Sequence, residues 1–205
     1  MTNIKICGLR RIEDINYVNE LLPEYVGFVF AKKSKRYVTP EQAAELSAAL
    51  DSRICPVGVF VNETIENITA LVKKGVIRIA QLHGSESDDF AAELKNNGID
   101  VIRAFRIQSA EDMDKAVSSP ADMILLDSGM GSGVTFDHSL IRNVSRPYFL
   151  AGGLDPKNVK QAIEALHPFA VDVSSGIETN GVKDCNKMME FAYAVRNNQK
   201  AESRK

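Results

Sequence analysis

The chain has 205 residues, 44% hydrophobic and 25% charged, with a formal net charge of −2, which fits one domain, or at most two small ones, with a sizeable core and offers nucleic acid no bulk electrostatic attraction. The N-terminus lacks the apolar stretch of a signal peptide, and no run reaches the roughly 18 apolar residues of a membrane span. Three widely spaced cysteines, Cys7, Cys55 and Cys185, indicate neither a disulfide framework nor a zinc site, so a reduced cytoplasmic protein is expected.

Short β-rich apolar runs at 4–7, 25–30, 54–61, 77–82, 101–105, 123–127, 148–151 and 169–173 read as strands. Their spacing leaves room for one helix and two short loops in each unit. After the second run, "TPEQAAEL" predicts a helix with Thr39 as N-cap, Pro40 at its first position and Gln42 completing a capping box. After the third, Ile65, Ile68, Leu71 and Val72 give one apolar stripe, closed by Gly75 in "VKKGV" as a left-handed C-cap. Gly98 in "KNNGI" closes the next helix in the same way. "LDPKNVKQAIEAL" repeats the capping device with Asp155 and Pro156, and Val159, Ile163 and Leu166 form its stripe. The end of the chain, "NNQKAESRK", has no periodicity, so 197–205 is expected to fray beyond a domain spanning 1–196.

Runs such as "VGFVF" and "MILLD" are apolar almost throughout, as strands are when helices cover both faces of a parallel sheet. Eight such units with no residual domain predict an α/β fold, a single-domain (β/α)₈ TIM barrel. A doubly wound open sheet is the alternative, because local pattern does not establish closure.

In a barrel of this kind chemistry gathers at the C-terminal ends of the strands. The first strand ends in Cys7-Gly8, the fourth in "QLHG", the sixth in "LLDSGMGSG", the seventh in "LAGG" and the eighth in "DVSSGIE". Gly152 and Gly153, with Ser174, Ser175 and Gly176, fall in the two loops that commonly hold phosphate. The plainer reading is that these glycines only make tight turns. "KKSKR" places four cations in five residues, and the lysines suit a solvated loop. Arg36, next to a helix start, could instead grip a carboxylate through two parallel hydrogen bonds.

Asp127 ends an apolar strand, where desolvation would raise its pKa and suit it to general-acid work; a loop-organising cap is the alternative. The glycine-rich loop after it could act as a lid. His83 shares a strand face with Gln81 and could line the pocket or support neighbouring loops. Lys5 shares a face with Cys7 and is the nearest cation able to favour a thiolate. Asp172 is a further inward carboxylate.

"KICG", "GFVFAKKSKRYVTPEQA", "QLHG", "LLDS", "LAGGL" and "VDVSSGIE" occur in an order that resembles the N-(5′-phosphoribosyl)anthranilate isomerase family over 3–195. The resemblance implies an Amadori rearrangement of a phosphorylated aminoaldose in tryptophan biosynthesis, without cofactor or metal. By its motifs Cys7 is the general base, Asp127 the general acid and Arg36 the contact for the anthranilate carboxylate, with phosphate in the strand 7 and 8 loops. The chain departs from the family around Met130, Ser132 and His138, where a tryptophan is usual. A metal-dependent epimerase would bring clustered histidines, and only three histidines are present. The related histidine-pathway isomerase would show aspartate at position 7. A phosphometabolite-binding barrel without catalysis is the non-enzymatic alternative. A monomer and a homodimer are both compatible with the sequence.

Overall fold

The computed structural model describes residues 2–127, 141 and 144–202, apart from the side chains of 198–202. Eight strands close into a parallel barrel in chain order: β1 (Asn3–Cys7), β2 (Tyr25–Val29), β3 (Cys55–Phe60), β4 (Ile79–Leu82), β5 (Asp100–Arg106), β6 (Met123–Asp127), β7 (Tyr148–Ala151) and β8 (Ala170–Val173). Pairing of β8 with β1 excludes the open sheet. Helices α1 (Ile12–Leu21), α2 (Pro40–Ala48), α3 (Ile65–Lys73), α4 (Asp88–Asn96) and α5 (Ala110–Ser118) follow the first five strands. After β7 comes α6 (Val159–Leu166), and α7 (Cys185–Glu202) closes the chain. The glycine loop after Asp127 and His138 lie outside the described residues.

The strands divide their side chains by the period of two. Ile4, Ile6, Val26, Phe28, Ile124 and Leu126 point outward into a core shared with the helices. Val57, Ile79, Ile102, Leu125 and Phe149 fill the barrel interior. A smaller apolar group of Cys7, Val29 and Val59 sits above them. Packed below and covered by helices outside, the barrel leaves its C-terminal rim as the place where polar side chains can gather.

Local signals set most helix ends. Thr39 Oγ1 accepts from Gln42 N at 3.2 Å, while Gln42 Oε1 accepts from Thr39 N at 3.0 Å. Gly75 and Gly98 have φ of +71° and +75°, and the residues after them return hydrogen bonds to Leu71 and Leu94, as a left-handed C-cap does. The start of the sixth helix differs from expectation. Helix α6 begins at Val159, and Asp155 organises the turn before it by accepting from the backbone of Lys157 and Asn158 at 2.7 and 3.0 Å. Helix α7 continues past residue 196 to Glu202; Gln, Lys, Ala and Glu are strong helix formers and extend it without an apolar stripe.

Between β8 and α7 the chain makes a 3₁₀ turn (Ser175–Ile177) and a small hairpin of β9 (Glu178–Thr179) and β10 (Val182–Lys183). Arg10 and Arg11 fasten it to the β1–α1 loop by donating to the carbonyls of Gly181 and Lys183 at 2.9 and 3.0 Å. The sequence reading did not foresee this hairpin.

Candidate active site

A cavity of about 740 Å³ opens at the C-terminal rim. Cys7, Arg36, His83, Asp127, Gly152, Gly153, Asp172, Ser174 and Ser175 line it, as the strand-end argument expects. Two expected residues lie off this wall. Lys5 is fully buried beneath it, and Gly176 packs behind it, where a β-carbon would come within 2.0 Å of the Leu154 carbonyl oxygen. Gly176 therefore lets the two phosphate-loop candidates approach each other.

Cys7 ends β1 opposite Gly27 of β2, and a β-carbon on Gly27 would lie 2.6 Å from the Cys7 sulfur. The glycine makes room for the thiol. Burial pushes the Cys7 pKa up, and the charges of Lys5 and Lys183 only partly oppose that rise. The expected bias toward thiolate from Lys5 is thus present but outweighed. The Lys5 ammonium donates to Asp172 Oδ1 at 3.0 Å. Burial works against its charge, but Asp172 and Cys7 hold its pKa above the ordinary lysine value. Burial also raises Asp172, against the pull of Lys5.

Asp127 ends β6 with its side chain 29% exposed, and His83 Nε2 lies 3.7 Å from its Oδ2. The desolvation expected from an apolar strand end is therefore incomplete. On the other side of the imidazole, Nδ1 is 3.1 Å from Gln81 Nε2. Which of the two nitrogens donates there depends on the ring tautomer. Gln81 is 1% exposed, and its Oε1 has no hydrogen-bond partner among the described residues.

Arg36 makes two parallel hydrogen bonds as anticipated for this guanidinium, but to a protein partner. Nε and Nη2 donate to the two carboxylate oxygens of Glu178 at 2.6 and 2.7 Å. Lys183 Nζ donates to Glu178 Oε1 at 2.7 Å and to the Ser174 carbonyl at 2.9 Å. Burial would raise Glu178, yet hydrogen bonds and charge from Arg36 and Lys183 bring its pKa down to about 2. Ser174 in turn donates through Oγ to the Cys7 carbonyl at 3.1 Å.

At the end of β7, Gly152 and Gly153 have φ of +98° and +62°, a conformation that favours glycine. Together with Ser174 and Ser175 they form one side of the cavity. Among the described residues no group of three His, Cys, Asp or Glu could hold a metal ion. No helix searched among them is long and apolar enough to cross a membrane.

Three further residues were missed in the sequence. Arg106 ends β5 in register with Asp127 and lines the cavity; the strand-end rule applied to the fifth strand would have found it. Glu178 stood in plain view in "VSSGIE", with nothing to mark its partner. Lys183 is brought back under Ser174 by the hairpin, and the local signal for that turn is Asn180-Gly181, with φ of +53° and +77°.

A family model described as N-(5′-phosphoribosyl)anthranilate (PRA) isomerase matches residues 4–194. The N-(5′-phosphoribosyl)anthranilate isomerase of Thermoanaerobacter sp. strain X514 is 44% identical over 203 residues, covering 96% of this chain and 98% of that protein. The crystal structure of the Thermotoga maritima phosphoribosyl anthranilate isomerase superimposes with a TM-score of 0.90 at 40% identity, covering 96% of this chain and all of that one. A phosphoribosyl anthranilate isomerase in complex with reduced 1-(o-carboxyphenylamino)-1-deoxyribulose 5-phosphate has a TM-score of 0.87 at 39% identity, with the same coverage.

Proposed function

The chain belongs to the N-(5′-phosphoribosyl)anthranilate isomerase family and has the aldose–ketose isomerase activity of tryptophan biosynthesis; within that activity, we propose that Cys7 is the general base and Asp127 the general acid. The observation that carries this assignment is their convergence from β1 and β6 on one cavity, beside the glycine and serine loops of β7 and β8. A sugar phosphate held in those loops places its furanose over the barrel mouth. Arg36 serves the carboxylate of the aromatic ring.

Asp127 delivers a proton to the ring oxygen, the C1′–O bond breaks, and an iminium ion forms at C1′. That cation acidifies the C2′ proton, which passes to Cys7 as thiolate and leaves an enolamine. Protonation of the enolamine at C1′ and loss of the O2′ proton give the ketone. No electrons leave the substrate, so no redox cofactor enters the balance.

The His83 ring, with Nε2 3.7 Å from Asp127 Oδ2, stands beside the carboxylate that remains after proton delivery. Lys5 and Lys183 assist the thiolate against burial, and the iminium adds a third positive charge once it forms. Turnover of N-(5-phosphoribosyl)anthranilate, followed by loss of its fluorescence, tests this function. A rate far above the uncatalysed rearrangement supports it. Binding of the reduced product analogue without turnover points instead to a binding barrel.

A further inference from the structure

We infer that Glu178 and Lys183 are positioning residues for Arg36: Glu178 fixes the guanidinium from one side, and Lys183 offsets the charge of Glu178, so the three carry a net +1 matched to one substrate carboxylate. This rests on the reading of Arg36 given above. An Arg36–Glu178 pair alone is neutral and attracts an anion weakly. Arg36 has five N–H donors in a planar fork, and Glu178 takes one from Nε and one from Nη2. The Nη1–Nη2 edge keeps its remaining donors for a second, bidentate carboxylate.

The geometry favours a permanent arrangement over a resting contact that substrate displaces. Glu178 is held by Lys183 as well as by Arg36, and its side chain is 9% exposed. Lys183 is itself buried and has two acceptors within 2.9 Å, a setting that suits an ammonium. Burial draws the lysine below its ordinary pKa, and Glu178 opposes that. Two neighbouring lysines have acidic partners of their own. Lys5 and Asp172 cancel as a pair, while Lys187 donates to the Glu178 backbone carbonyl and has Asp184 beside it. Gly8 completes the arrangement, because the Arg36 stem crosses where a β-carbon on residue 8 would lie.

The test compares KM for N-(5-phosphoribosyl)anthranilate with KM for N-(5-phosphoribosyl)aniline, which lacks the carboxylate. Each variant supplies its own ratio, so a loss of folded enzyme lowers the rate without moving the ratio. Lys183→Met takes the net charge to zero and should worsen the ratio about tenfold against the carboxylated substrate. Lys183→Arg should keep it near wild type. Glu178→Gln combined with Lys183→Met restores the net +1 and keeps one side-chain acceptor for the guanidinium at position 178, so it should recover most of the ratio. A ratio unmoved by Lys183→Met, or equally poor in the double variant, overturns the inference. Arg36→Met separates the two levels: if it too leaves the ratio unchanged, the carboxylate reading of Arg36 falls. If Arg36→Met shifts the ratio and Lys183→Met does not, only the inference falls.

Discussion

Gly8 and Arg36 occupy mutually dependent positions: Gly8 has φ of +84°, and a β-carbon on it would lie 2.4 Å from Arg36 Cδ. The glycine of "KICG" thus serves the arginine of the next loop as well as the cysteine before it. Gly8→Ala should lose about 1–2 kcal/mol of stability from the left-handed backbone and raise KM for the anthranilate substrate about tenfold or more through the displaced guanidinium. Thermal melts and steady-state kinetics check the two effects separately.

Lys5 and Asp172 form a buried ion pair, with Asp172 at the cavity floor and Lys5 beneath it. Removing one partner leaves a charge without compensation, so Lys5→Met should destabilise the barrel by about 3–5 kcal/mol. Replacing both, as Lys5→Met with Asp172→Leu, should recover most of that stability but not activity, because Asp172 also lines the cavity. Urea unfolding of the single and double variants measures the difference.

Most of this architecture was legible in the sequence because it rests on local, repeated signals. Each strand announced itself by an apolar run, and Thr39, Gly75 and Gly98 marked helix ends through capping chemistry that acts within a few residues. Strand-end residues could be placed on one rim because parallel strands all point the same way. What escaped was mostly non-local, although Asn180-Gly181 is a local hairpin signal. The side-chain partner of Arg36 is 142 positions away at Glu178, and Lys183 reaches Ser174 only after a hairpin turns the chain back. The resting state of Cys7 also escaped, since the net effect of burial and two cations depends on three-dimensional packing that spacing along β1 does not reveal.

Burial raises the Cys7 thiol above its ordinary value of 9.0. If the thiolate is the base, kcat/KM should rise with pH throughout the neutral range and level only above about 9. Alkylation of Cys7 by iodoacetamide, resolved from Cys55 and Cys185 by peptide mass mapping, should follow the same curve. An alkylation midpoint below 8 would contradict it.

Glu178 has a folded pKa of about 2 against an ordinary 4.5. A carboxylate whose pKa is lowered by folding stabilises the folded state fully above the higher value, and the contribution is lost as pH falls toward the lower one. The stability gap between wild type and Glu178→Gln should therefore be constant above about pH 5 and narrow between 4.5 and 2. Denaturant midpoints across that range report it.

The assignment of base and acid is tested most directly by following substrate deuterated at C2′ in single turnovers of wild type, Cys7→Ala and Asp127→Ala. Wild type should show a primary isotope effect when proton abstraction is limiting. Both variants should lose at least about a thousandfold in rate, in keeping with removal of an essential proton-transfer group, while still binding the reduced product analogue. Wild-type rates in either variant would contradict the account.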